Sequence, residues 1–390
     1  MSTVCPEEAI IVGASFTGLC TAWQLRKRGV ERICVLEQHR IGHRKGASHG
    51  RTRVLSTAGY DDPVQTLLAL SRDQAWPELQ EDLGRTVCKR TSGLVLGPLN
   101  DAFRKAAESH FGRPGELSAV PLAKARAAWP VLELPAGTGT AADEGILLIA
   151  AETAMDALLA WLQQEGVKIV PNTTVTSIHS TADGLWLETD RGRRVAERVI
   201  STAGRGTPHL FERSLSRIQA RTVVSAFFSV DLPESDWRPG RFPAIRALGD
   251  EGQPLFTVSP EFADRGIKVE RHTRDDGMDT DPGLDAVRAW FEATVGPKVT
   301  AQLGREVRRV VHIEDRPMIV DTHHDDPRIV FAAGANGQEV ALGPILGKAM
   351  AELALDGRSA MAEFQRNRKY FALPRRSLPK RRKRPSKPSF

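Results

Sequence analysis

The sequence has no run of 18 apolar residues, so no helical membrane span can be written into it. It is also poor in cysteine. The four, Cys5, Cys20, Cys34 and Cys88, all fall in the first quarter, with no CxxC pair and no histidine cluster at metal-ligand spacing. That pattern excludes a disulfide-stapled scaffold and predicts reduced packing cysteines with no metal centre. The start, MSTVCPEEAIIVG, lacks the basic, apolar and small-residue succession of a signal peptide, so the expected location is cytoplasmic. What is present is a chain of 390 residues, 41% hydrophobic and 26% charged. This is the composition of a globular protein, long enough for two or three domains or one large two-part fold.

The net charge of +6 is unevenly placed. Eleven of the 54 basic residues lie from Arg366 onward, where no acid occurs, leaving 43 basic against 48 acidic residues in the rest. The body is therefore mildly acidic and the tail alone is basic. The segment PRRSLPKRRKRPSKPSF, rich in proline and lacking apolar periodicity, predicts a disordered arm over 373–390. Contact with nucleic acid is expected only through this arm, and none with membrane.

The first motif begins at Ala9. AIIV is a short continuous apolar run, as expected for a strand covered on both faces, and it meets the turn Gly13-Ala14-Ser15-Phe16-Thr17-Gly18. Leu19, Ala22, Trp23 and Leu25 then recur at helical spacing, and a second apolar strand from Ile33 to Leu36 ends on Glu37. Strand, tight turn, helix, strand and a terminal acid form the dinucleotide-binding unit. Glycines let the backbone approach a pyrophosphate, the helix start offers free N–H groups, and the acid accepts from a ribose. Ser15 departs from the usual pattern by placing a side chain at the middle glycine position.

Farther on, the order of LEQ, GASHGRTRV, LLALSRDQAWPEL and TSGLVLGP resembles the monomeric sarcosine oxidase and N-methyltryptophan oxidase family, within the D-amino-acid oxidase group of flavoproteins. Later landmarks arrive in the family's order up to about residue 372. They are a helix with Met155, Leu158, Leu159 and Leu162, the run STAG ending at Gly204, the segment GIKVERH from Gly266 to His272, and a glycine-containing loop from Gly334 to Gly343 before Pro344. The resemblance implies an α/β fold with a Rossmann-like FAD-binding domain and a second, substrate domain holding a mixed or antiparallel sheet. The FAD domain is expected from residues 1–84, 146–212 and 309–372, and the substrate domain from 85–145 and 213–308.

The resemblance further implies one FAD, a small amine as substrate, O2 as electron acceptor and a monomer. Cofactor contacts are expected from Gly13, Ser15, Phe16, Thr17, Gly18, Glu37, Ser48, His49, Gly50, Thr52, Arg53, Val175, Gly204, Gly334, Asn336, Gly337 and Gln338. Arg53 matches the family's arginine near the flavin. Lys268 is the candidate for a fixed positive charge that helps oxygen accept electrons, set against an ordinary exposed lysine in the strand IKVERH. His272 matches a position facing the substrate. The family's covalent cysteine lies near His312, but no cysteine follows Cys88, so cysteinyl attachment is excluded and a non-covalent cofactor is expected. A histidyl link through His49 or His312 is the alternative.

At the substrate pocket the chain departs from the resemblance. The two cations that hold a carboxylate in the family fall at Ser56 and Ala341, and a pocket tyrosine falls at Thr257. Sarcosine is therefore expected to be a poor substrate. Either another cation, such as Arg316 or Arg271, meets a carboxylate, or the substrate is a larger, biosynthetic amine without one. Other flavoenzymes, an NAD(P)-linked dehydrogenase and a non-catalytic descendant are the competing readings.

Overall fold

The computed structural model describes residues 6–108, 117–182, 184–211, 218–272, 281–313 and 316–373. Numbered in chain order, the strands alternate between two sheets. β1 (Glu7–Val12) and β2 (Ile33–Leu36) open the first sheet; β3 (Thr52–Leu55), β4 (Cys88–Pro98), β5 (Leu117–Ala119) and β6 (Thr138–Ala150) begin the second. The chain returns to the first with β7 (Lys168–Val170), β8 (Val175–Thr181), β9 (Gly184–Thr189) and β10 (Arg194–Ser201). β11 (Ile218–Val230), β12 (Ala244–Leu248), β13 (Pro254–Ser259), β14 (Ile267–His272) and β15 (Val299–Ile313) complete the second, and β16 (Ile319–Thr322) and β17 (Ile329–Ala333) close the first.

In the first sheet the order is β16-β17-β10-β1-β2-β7, parallel from β17 through β7, with the β8–β9 hairpin on β10. Strand alternation explains why its central strands are apolar throughout. Ala9, Ile11, Ile33 and Val35 face a core shared with the helices Phe16–Lys27, Ala151–Gln164 and Gly343–Asp356. Ile10, Val12, Cys34 and Leu36 face the opposite core, with Leu185 and Leu187 of β9. The first and the late helix pack closely, since a Cβ added at Gly347 would lie 2.6 Å from the Cys20 carbonyl carbon. Cys20, Cys34 and Cys88 are buried and free, as packing residues; Cys5 lies outside the described residues.

The second sheet runs β15-β11-β14-β13-β12-β4-β6-β3, antiparallel except between β12 and β4. Its two faces differ in chemistry. Val224, Ala226, Phe228, Ile245, Val258, Ile267 and Val269 join a core with Val287 and Phe291 of the helix Asp281–Thr294. Their alternating neighbours Ser225, Arg246, Thr257, Ser259, Lys268 and Glu270 are buried as well. Polar groups are buried only where partners or a ligand compensate them, which marks this face for function.

No helix among the described residues is long and apolar enough to cross a membrane. The basic arm from residue 374 on lies outside the described residues. Leu373, counted with it from the sequence, is buried and its N–H donates to Asp321 Oδ2 at 2.9 Å, so the folded body reaches at least this residue.

Candidate active site

One cavity has a volume of about 640 Å³, within the roughly 300–1,000 Å³ typical of ligand pockets. It opens at the carboxyl ends of β1, β2, β10 and β17, where ligands bind in open parallel sheets. Gly13 sits there at φ +102°, and a Cβ on it would lie 2.9 Å from the Thr202 carbonyl oxygen. Gly18 is similarly hemmed in, since its Cβ would meet the Gly13 carbonyl oxygen at 2.3 Å. Ser15 is accommodated by a different route. Its φ is −66°, open to any residue, and its Oγ accepts from the Gly18 N–H at 3.1 Å as the N-cap of the first helix. Glu37 is buried at the end of β2, accepting from the N–H groups of Ala14 and His39, both at 2.9 Å, with His43 Nε2 3.2 Å away. Arg44, Lys45, Arg205, Arg305 and Arg309 add positive charge to the wall.

The loop before β3 is tied to the helix start, because Ser48 Oγ accepts from the Phe16 N–H at 3.0 Å. Arg53 folds back on this loop, donating to the carbonyls of Thr52 at 2.9 Å, Ala47 at 3.3 Å and His49. Burial, with Arg308 nearby, lowers its pKa to about 10, so it stays charged at neutral pH. Burial also lowers the pKa of His49.

A second, narrow cavity of about 20 Å³ lies against the polar face of the second sheet. Thr52, Arg53, Arg246, Thr257, Ser259, Lys268, Glu270, His272, Gly337, Gln338 and Ala341 line it with Val54. Lys268 is 4% exposed and donates to the Thr52 carbonyl at 2.9 Å, with Glu270 at 3.6 Å and Glu306 at 3.7 Å. The exposed-lysine reading is thereby overturned. Burial lowers the pKa of Lys268 against the pull of Glu270. For Glu270, burial opposes ionisation, but Arg308, in contact with its Oε2, and then Lys268 outweigh it and hold the carboxyl well below its usual range.

His272 is kept neutral by burial, its pKa lowered to about 4. Thr257 Oγ1 lies 2.7 Å from Arg246 Nη1 and 2.8 Å from His272 Nε2. Arginine can only donate, and Arg246 Nη1 also lies 3.4 Å from His272 Nε2, so a hydrogen on that nitrogen would face the guanidinium; the arrangement favours Nε2 accepting the threonine proton, with the ring hydrogen on Nδ1.

Comparison with known proteins bears on this arrangement directly. Residues 8–353 match the family described as FAD dependent oxidoreductase. The chain belongs to that family. It is 25% identical over 371 residues to monomeric sarcosine oxidase of Bacillus sp. (strain B-0618), covering 90% of this chain and 93% of the relative. It is 24% identical over 361 residues to N-methyl-L-tryptophan oxidase of Salmonella arizonae (strain ATCC BAA-731 / CDC346-86 / RSK2980), covering 90% and 95%. In fold it is similar to the open form of NikD, an unusual amino acid oxidase essential for nikkomycin biosynthesis, with a TM-score of 0.74 at 18% identity over 94% and 97% of the two chains. This FAD dependent oxidoreductase is of the amino-acid and amine oxidase type, with the fold expected from the sequence.

The residues present fit FAD. Gly13 and Gly18 leave room that a Cβ would fill, and the first helix starts against the cavity. Arg53 Nε and Glu339 Oε2 are buried without a hydrogen-bond partner, and Glu339 lines the same cavity. The turn from Gly13 to Gly18 would hold the pyrophosphate, Glu37 a ribose, and Arg53 with the loop at Gly337 and Gln338 the ring.

Of the other expected contacts, Thr17, Val175, Gly204 and Gly334 line the large cavity together with Ser48, His49 and Gly50. Gly334, Asn336 and Gly337 all have positive φ, at 81°, 49° and 87°, which shapes the loop between the two cavities. Phe16 is not brought to the cavity by its side chain. Its ring is fully buried and stacks on Trp76 at 5.4 Å, so only its backbone serves the turn. Ser56 is buried and its Oγ donates to Asp143 Oδ2 at 2.7 Å. Ala341 does reach the inner cavity, and its carbonyl accepts from Ser71 Oγ at 2.6 Å and Trp76 Nε1 at 2.9 Å, where the helix from Asp62 widens by one residue per turn.

Arg316 is a correction: its Nη1 donates to the Ala372 carbonyl and it lines neither cavity. Arg271 points to the other face of β14, 5.9 Å from the Phe256 ring. Sequence reasoning missed Arg246, Glu270, Glu306, Arg308 and Glu339. Period-two alternation from Lys268 could have found Glu270, and the single charge in the strand AIRAL could have found Arg246.

Proposed function

We propose that this oxidoreductase is an amine oxidase that removes a hydride from a carbon next to an amine nitrogen and delivers the electrons to O2, giving an imine and hydrogen peroxide. The cluster of Lys268, Glu270, Thr257 and Arg53, all buried, with the partly exposed His272, lines the inner cavity and carries this reading. FAD, when bound, supplies the hydride acceptor and passes electrons to oxygen. The chain does the rest. Lys268, held by the Thr52 carbonyl, provides a fixed positive charge where oxygen gains negative charge. His272 stays uncharged over the neutral range and leaves the amine's protonation to the pocket. The late helix begins at Gly343, directly after the loop that lines the inner cavity through Gly337, Gln338 and Ala341.

The cofactor is read as held without a covalent bond, since no cysteine follows Cys88 and only a histidyl link through His49 or His312 would be left. The two sheets are read as a cofactor domain and a substrate domain near the boundaries expected from the sequence, with β3 and the ends of β6 and β15, past residues 145 and 308, belonging to the second sheet. Ser56 and Ala341 offer no cation, so a carboxylate such as that of sarcosine is not held here as the family holds it.

The test is direct. The purified protein should show a flavin spectrum, acid precipitation should leave the pellet colourless, and a panel of secondary amines should bleach the flavin without oxygen. A colourless protein with no affinity for added FAD, or one bleached by NADPH and by no amine, contradicts the reading.

A further inference from the structure

Arg246 lies on β12 within the strand AIRAL, whose other four residues are alanine, isoleucine and leucine. It is 1% exposed and lines the inner cavity. Nη1 donates to Thr257 Oγ1 at 2.7 Å, with His272 Nε2 at 3.4 Å. Nε and Nη2 are buried and have no hydrogen-bond partner. Among the described residues no carboxylate comes within ion-pair distance of this guanidinium. Asp143 accepts from Ser56 and the Gly145 N–H, and Glu270 is matched by Arg308 and Lys268. Tyr60 is a further neighbour, its ring centroid 5.8 Å from Cζ and its hydroxyl interacting with the guanidinium.

A buried guanidinium without a counter-ion is costly, and its Nε–Nη2 edge presents two parallel N–H groups at the spacing of a carboxylate. We propose that Arg246 anchors the carboxylate of the substrate, so that the oxidised amine is an amino acid held against the second sheet. This rests on the amine oxidase reading. The anchor also ties recognition to the reaction centre, because the same guanidinium donates to Thr257, which in turn donates to His272.

The experiment is ligand titration of the flavin-loaded protein, followed by the change in flavin absorbance. The probes are isobutyrate and 2-furoate, each compared with its neutral primary amide. The expected result is that the acids bind at least about 30-fold more tightly than the amides, and that Arg246→Gln removes about 30-fold of acid affinity while amide affinity and flavin content stay unchanged. Acid affinity within threefold of the wild type in Arg246→Gln, or equal binding of acid and amide to the wild type, overturns the anchor. If Arg246→Gln fails to retain flavin, Arg246→Lys decides. A loss of about tenfold for the acids alone supports the anchor, and an unchanged acid affinity overturns it. Failure of the parent reading looks different. A protein that binds the acids through Arg246 but is bleached by no amine keeps the anchor and loses the oxidase, whereas one bleached by amines and indifferent to carboxylates loses only the anchor.

Discussion

The nucleotide cavity and the inner cavity are built on opposite electrostatic plans. At the nucleotide end the positive charges sit on the rim. Arg44 and Lys45 stand on a loop and Arg205 in a 3-10 turn, all exposed, while the buried Glu37 is satisfied by backbone N–H groups. At the inner end Arg53, Arg246, Lys268, Glu270 and Arg308 are all at most 9% exposed. Rim charges hold a phosphate cheaply and are individually replaceable, each worth up to about 1 kcal/mol. Buried charges are interdependent, since each is tolerated only while its partners remain. The nucleotide end should therefore respond to mutation by small, additive losses, and the inner end by large, coupled ones.

The largest contrast is expected at the Glu270–Arg308 pair. Glu270→Gln leaves Arg308 and Lys268 with less compensation and should destabilise the protein by about 3–5 kcal/mol. Chemical denaturation of the variant checks this, and combining it with Arg308→Met should cost much less than the sum of the two single losses. A strictly additive pair would show that the inner charges do not form one unit.

Acid sensitivity comes next. A histidine whose folded pKa is depressed to about 4 binds fewer protons in the native than in the unfolded chain, where it titrates near 6.5. Its contribution to stability is complete above about pH 6.5 and is lost as pH falls toward 4. Glu270, also depressed, loses its contribution at lower pH still, below the usual carboxylate range. Thermal unfolding between pH 7 and 4 should show the loss, and His272→Gln should flatten the upper part of the curve. The side chain of His272 keeps 17% of its surface open, which moderates the effect.

The smallest effect is expected at the rim. Ser15→Gly replaces one good helix cap by another acceptable one and should change stability by only a few tenths of a kcal/mol, whereas Ser15→Ala should cost about 1 kcal/mol. Flavin affinity in Ser15→Gly should match the wild type within a few-fold, as measured by equilibrium dialysis.

The same division governs how much could be read from the amino-acid sequence. The nucleotide end is contiguous in the chain: Glu7 to Glu37 form strand, turn, helix and strand, and a local pattern reports it. The inner end is assembled by register between distant strands. Ser225, Thr257 and Glu306 come from β11, β13 and β15, and each is brought beside Glu270 or its direct neighbour by antiparallel pairing alone. Arg308 sits in the run REVRRVVH, where nothing in the sequence separates the buried arginine from its neighbours. Lys268 and His272 were legible through the family resemblance, but the partners that set their charge were not. Arg316 was misjudged because a cation close in sequence to the site need not face it.

The most direct test of the inner cluster as the reaction centre is the oxygen half-reaction of Lys268→Met. This variant keeps the side chain's length and removes its charge beside the Thr52 carbonyl. The flavin is reduced chemically without oxygen, mixed with oxygenated buffer, and its returning absorbance followed. The account predicts reoxidation slower than wild type by on the order of 100-fold, with anaerobic reduction by a substrate changed far less and Lys268→Arg only partly restored. A Lys268→Met protein that reoxidises as fast as the wild type would contradict the assignment of the buried cluster as the place where oxygen reacts.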